Sequence, residues 1–266
     1  RQRQMCIRDR FMRKTLAGTF ATIMMIFILS SGVFATELVG NVQYPEFNDT
    51  YENPGDFILG DITDQELIDY LGFKDLKAES WYLRYVYIAY FDKIMKGKSK
   101  EIFDPLGKVT MAELACISAK VHSKLMVASS DFKQVKGEAW YMPYVRYCYE
   151  NGIYTNGKVD SGKISLEKAE DWNRAAKRCE VAGMLGRCDN FYKKGFINPD
   201  VPLTDISDVK ESTPYAEEIL LLYRSGVAVG DVNMNFSPMQ KVSRAEMAAM
   251  TTRLLHDEFK IGLPKG

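Results

Sequence analysis

The feature that most constrains this 266-residue chain is that it repeats itself. Three stretches follow one plan. They open with Phe73-Lys74-Asp75-Leu76, Phe132-Lys133-Gln134-Val135 and Leu203-Thr204-Asp205-Ile206. Trp81 follows Asp75 by six residues and Trp140 follows Gln134 by six, whereas Tyr215 follows Asp205 by ten. Each aromatic heads a segment with helical apolar spacing, such as Trp81, Tyr85, Ile88 and Ala89, or Tyr215, Ile219, Leu222 and Tyr223. Gly152 and Gly226 then stand where a helix ends in the left-handed region, and the first copy puts Lys93 there, at a steric cost of about 1 kcal/mol.

The second half of the plan is as regular. Ile94, Ile153 and Val227 are followed three residues later by Gly97, Asn156 and Gly230. From Gly97 it is six, eight and thirteen residues to Phe103, Pro105 and Thr110, and from Gly230 the same steps reach Phe236, Pro238 and Ser243. Thr110, Ser165 and Ser243 are N-cap types, and Glu113 and Glu246 lie where they complete a capping box with Thr110 and Ser243. Apolar residues recur four, seven and eleven places past each cap: Leu114, Ile117 and Val121; Ala169, Trp172 and Ala176; Met247, Met250 and Leu254. That is one buried helical stripe.

A single helix-loop-helix unit cannot bury such a stripe alone. The sequence therefore predicts an all-α fold in which three units close on each other around a shared core. The units span 73–128, 129–190 and 201–262. Residues 36–72 precede them, with Pro45, Pro54 and Gly55 marking irregular chain and a short helix expected over Thr63 to Leu71.

Formal charge is zero, with 35 basic and 35 acidic residues, which argues against a nucleic-acid binder with a large basic face. The balance hides an asymmetry. Residues 12–35 have the three parts of a secretory signal: Met12-Arg13-Lys14, an apolar run through Leu29, and Val33-Phe34-Ala35. Residues 1–11 read as a non-native leader. Without residues 1–35 the chain has 29 basic and 34 acidic residues, and no membrane span is expected once the signal is cut. Export permits disulfides, but Cys116, Cys148, Cys179 and Cys188 match no zinc spacing and read as small buried hydrophobes.

The repeat resembles S-layer homology modules, three in tandem. The residues that carry the resemblance are the Phe-x-Asp start, the aromatic heading helix one, Gly226-Val227-Ala228-Val229-Gly230, Phe236-Ser237-Pro238, and Val242-Ser243-Arg244-Ala245-Glu246. The resemblance implies a pseudo-threefold arrangement around a central three-helix bundle, in a secreted protein of the cell wall and surface layer that is anchored noncovalently. Its partner would be a secondary cell-wall polysaccharide of peptidoglycan, often bearing pyruvate ketals, held in a groove between modules. Arg244, in the first turn of a helix, would take the ketal carboxylate beside free helical amides. Ser243, Asp205, Asp75, Trp81, Trp140 and Gly230 complete the expected carbohydrate site, while Thr110, Glu113, Glu246, Gly97 and Gly226 are expected to shape the motif. Met111 and Leu166 stand where the family has arginine, and the second copy lacks both the aspartate and the Phe-x-Pro loop. The alternative is a degenerate scaffold that docks another envelope protein.

Nothing in the sequence composes an enzyme site. The chain has two histidines, His122 and His256, and no metal-protease, nucleophile-elbow or phosphate-loop motif. Asp231-Val232-Asn233-Met234-Asn235 opens like a calcium loop, but Phe236 replaces the turn glycine and Val242 the bidentate glutamate. No metal and no cofactor is expected.

Overall fold

The computed structural model describes residues 62–126, 132–155, 158–160, 163–165, 172–189, 191 and 195–263. The expected signal segment, the irregular chain around Pro45 and Pro54, and Asn156, Leu166 and Ala169 lie outside the described residues.

The fold is helical. The described helices are α1 (Asp64–Leu71), α2 (Leu83–Phe91), α3 (Met111–Leu125), α4 (Met142–Glu150), α5 (Arg178–Leu185), α6 (Ala216–Arg224) and α7 (Arg244–Leu255). A two-stranded antiparallel hairpin, β1 (Lys158–Asp160) and β2 (Lys163–Ser165), and 3-10 turns at Leu203–Asp205 and Asp257–Phe259 complete the described elements. The expected short helix is α1, with Thr63 and Glu66 forming a reciprocal capping box.

Each unit contributes one helix of each kind, and the helices interleave. Helix two of the third unit, α7, packs on helix one of the first, α2; α3 packs on α4, and α5 on α6. Helix one thus buries its stripe on a neighbouring unit, which is why one unit could not fold alone. The helix-two elements meet at their N-terminal ends through a closed ring of backbone hydrogen bonds. Val109 N donates to Val242 O at 3.0 Å, Val242 N to Ala176 O at 3.2 Å, and Ala176 N to Val109 O at 2.8 Å. All three side chains are fully buried.

The ring corrects the sequence reading of the middle unit. Ser165 ends β2 and is not the cap of helix two. Helix two begins twelve residues later, after Lys177, and the capping-box acid is Glu180, whose Oε2 accepts Lys177 N at 2.8 Å. The arginine that appeared to be lost is present as Arg178. A polar hydroxyl followed by a helix-like run looked like a cap, but only the neighbouring units decide which segment can enter the bundle. Trp172 and Ala176, read as helix-two residues, precede that helix, with Ala176 in the ring.

The third unit is corrected as well. Asp208, not Asp205, does the work of Asp75. Asp75 accepts Phe103 N and Asp104 N at 2.9 and 2.6 Å, and Asp208 accepts Phe236 N and Ser237 N, both at 2.7 Å. Each carboxylate pins the Phe-x-Pro loop of its own unit. With the register set from Asp208, Tyr215 matches Tyr82 and Tyr141, the N-cap residues of α2 and α4. Pro214, not Tyr215, then stands in the place of Trp81 and Trp140.

Other expectations hold. Thr110 with Glu113 and Ser243 with Glu246 form reciprocal capping boxes. Gly152, Gly226 and Gly230 have φ of 69°, 71° or 72°, and Lys93 sits in the same left-handed region at 62° despite its Cβ. Among the described cysteines, all thiols are free, with Cys148, Cys179 and Cys188 buried and Cys116 half-buried.

Candidate carbohydrate groove

Arg244 begins α7 but does not face solvent. Only 4% of it is exposed. Its Nε donates to Phe103 O at 2.8 Å, one terminal nitrogen to Lys96 O at 2.6 Å, and the other to Glu113 Oε1 at 3.3 Å. The guanidinium lies over the Phe103 ring, 4.7 Å from its centroid. Burial lowers its pKa and Glu113 opposes that shift, so it stays a cation held by the first unit.

Arg178 repeats three of these contacts one unit round. Its Nε donates to Phe236 O at 2.8 Å, a terminal nitrogen meets Glu246 Oε1 at 2.9 Å, and the Phe236 ring lies 5.0 Å below. The helix-two arginines are therefore staples between units. The expectation that Arg244 stands beside free helical amides also meets occupied donors. Arg244 N donates to Gly107 O and Ala245 N to Pro105 O, both at 2.9 Å, and Glu246 N to Ser243 Oγ at 3.2 Å.

The open groove lies elsewhere, where α2 of the first unit crosses the turn and helix α7 of the third. It is a space of about 350 Å³ lined by Trp81, Val227, Ala228, Val229, Gly230, Glu246, Ala249, Met250, Arg178 and Arg253. Of the sequence-predicted carbohydrate residues, Trp81 and Gly230 line it. Arg244, Ser243, Asp75, Asp205 and Trp140 do not. Asp205 is exposed in its 3-10 turn, and Trp140, 50% exposed, belongs to the head of α4.

Gly230 is required by the turn. A Cβ there would lie 2.2 Å from Tyr223 Oη and 2.7 Å from Asn235 O, at a φ of 71°. Gly97 serves close packing instead, since a Cβ would meet the Phe73 ring at 2.3 Å.

Arg253 is the charged groove residue that sequence reasoning missed. It lies in the last turn of α7 and is 9% exposed. Its terminal nitrogens reach Val227 O at 3.4 Å and Tyr85 Oη at 3.2 Å, and its carbon lies 5.2 Å from the Tyr85 ring centroid. Its Nε has no hydrogen-bond partner, and among the described residues no carboxylate pairs with it. Arg178 and Glu246 neutralise each other in the same wall, so the groove has one uncompensated positive charge. A signal was present in the sequence: Arg253 follows Ser243 by ten residues, as Arg187 follows Lys177 and Lys120 follows Thr110. A basic residue recurs at one position of helix two, but without the register of the middle unit it cannot be seen.

Comparison with known proteins agrees with this geometry. Two stretches match the S-layer homology domain. They are residues 72–115 and 205–248, displaced by 133 residues at both ends, which is the register that Asp75 and Asp208 define structurally. The middle unit lies outside the two matched stretches. Over 62% of its length the chain is 26% identical to a surface-layer 125 kDa protein of Lysinibacillus sphaericus, of which it covers 13%. It is 24% identical over 66% of its length to an S-layer protein of Bacillus thuringiensis subsp. finitimus, covering 20% of that protein. An amylopullulanase of Thermoanaerobacterium thermosulfurigenes is 26% identical over 71% of this chain and 10% of its own length. The chain thus spans a fifth or less of these curated relatives. The S-layer homology domain matches and the surface-layer relatives together indicate a secreted, cell-surface protein. No described helix is long and apolar enough to cross a membrane.

Proposed function

We propose that this chain anchors noncovalently to the bacterial wall by binding a secondary cell-wall polysaccharide in the groove between α2 and α7. The observation that carries the reading is Arg253, a buried guanidinium with an unpartnered Nε in the wall of an open groove. A buried cation without a carboxylate is costly unless a ligand completes it. The single uncompensated charge suits one carboxylate per bound unit, such as a pyruvate ketal on a sugar. Trp81 offers a ring for the apolar face of that sugar, and the main chain from Val227 to Gly230 offers polar groups to its hydroxyls. The residues are arranged for holding, with no acid-base pair or nucleophile among those that line the groove, so the role proposed is binding without catalysis.

The ring of Val109, Ala176 and Val242 favours a pseudo-threefold axis through the helix-two bundle and hence one groove of this kind per pair of neighbouring units. The test is cosedimentation of the chain with purified sacculi, before and after extraction of the secondary polymer, beside Arg253→Gln and Trp81→Ala. Polymer-dependent pelleting should be lost in Arg253→Gln and weakened in Trp81→Ala. Pelleting that survives polymer extraction, or is unchanged in a folded Arg253→Gln, would overturn the proposal.

A further inference from the structure

The interleaved packing makes two further places equivalent to the Arg253 groove, and they are not chemically alike. Between α4 and α3, the position of Arg253 is taken by Lys120, which donates to Lys93 O at 3.1 Å, while Trp140 keeps the place of Trp81 and Tyr144 that of Tyr85. Between α6 and α5, the cation is Arg187, but two other features have changed. Pro214 stands where the first two units have tryptophan, and Glu218 stands where they have Tyr85 and Tyr144.

The Glu218 carboxylate goes to the arginine. Arg187 Nε donates to Glu218 Oε1 at 2.9 Å, a terminal nitrogen lies 2.6 Å from the same oxygen, and the other donates to Thr155 Oγ1 at 3.0 Å. All three guanidinium nitrogens are therefore partnered, in contrast to Arg253. The ring of Tyr215 lies against the helix where a small residue is needed. A Cβ on Gly183 would come 2.4 Å from that ring, and the Arg187 carbon lies 5.4 Å from its centroid.

We infer that the groove between α5 and α6 is self-occupied: Glu218 supplies from within the chain the carboxylate that a bound sugar supplies to Arg253, and this groove takes no polymer. The inference rests on the proposed role of Arg253 and assigns Glu218 as the residue that sets how many ligands one chain holds. A protein with such a closed groove grips the polymer at fewer points than its repeat count suggests, and a single substitution reopens the third.

The experiment counts bound sugars per full chain by titration calorimetry, using the methyl glycoside of a pyruvate-ketal sugar as the probe. Arg253→Gln should lower the count by one, and Arg187→Gln should leave it unchanged. Glu218→Gln, which keeps the shape and removes the charge, should raise it by one; Glu218→Tyr, which restores the residue type of the other two units, is the second variant should the first bind too weakly to count. A count lowered by Arg187→Gln, or raised by neither Glu218 variant while both remain folded, overturns the inference and leaves the Arg253 reading intact. A folded wild type that binds no probe removes the Arg253 reading and this inference with it.

Discussion

Replacing Arg244 by alanine separates a staple from a ligand contact. The side chain donates to two backbone carbonyls, Phe103 O and Lys96 O, and reaches the Glu113 carboxylate, all from a position 4% exposed. Truncation leaves two carbonyls without their donor, at about 1 to 3 kcal/mol for each that water cannot reach. Glu113 is cushioned, because Lys98 and the Thr110 amide remain on it. The guanidinium over Phe103 adds about 1 kcal/mol more. The expected loss is about 3 to 7 kcal/mol, a span that contains the range of about 3 to 5 kcal/mol for breaking a buried pair from one side. Total stabilities near 5 to 15 kcal/mol make that a large fraction. Urea unfolding followed by circular dichroism would measure it as a fall in midpoint with little change in slope. Where the variant remains folded, its affinity for a carboxylated sugar should stay within about threefold of wild type, since Arg244 does not line the groove, whereas Arg253→Gln should lose more than tenfold. A stability change below 1 kcal/mol together with lost binding would refute the staple and restore Arg244 as the ligand contact.

Lys93→Gly should raise stability by about 1 kcal/mol, because φ of 62° is a conformation that Gly152 and Gly226 adopt at the matching turns without a Cβ; equal or lower stability in urea would count against this. Asp208→Asn should cost about 2 kcal/mol in the same assay, as one acceptor of two loop amides is replaced by a donor, and Asp75→Asn should behave alike; a neutral result at both would show that the loops hold without them. His256 predicts a pH dependence. Burial opposes its charged form, but hydrogen bonds and attraction from Asp92 and Glu258 prevail and raise its pKa to about 9. Its contribution is fully present below pH ~6.5 and should fade as pH rises through about 9, and His256→Gln should flatten that slope between pH 7 and 10.

Much of the fold was legible because repetition supplies its own control. The caps at Thr110 and Ser243, the turns at Gly226 and Gly230 and the two Phe-x-Pro loops could be checked against each other by spacing alone. The middle unit could not be, since the chain between Asn156 and Trp172 departs from the plan and Ser165 offered a plausible cap in the wrong place. The charged residues were misread for a related reason. An arginine in the first turn of a helix has the same local sequence whether it points to solvent or into the next unit, and only the packing of α7 against the first unit's loop decides.

The sequence by itself therefore determined the helix-loop-helix unit, the caps of the first and third copies and the family it resembles, because these depend on contacts within a few turns of chain. The tertiary structure alone decided which arginine is buried against a carboxylate and which is buried without one. That difference rests on residues far apart in the chain: Phe103 and Glu113 on Arg244, Glu218 on Arg187, and no carboxylate among the described residues on Arg253. Charge compensation is a property of the space between units, and no single unit encodes it.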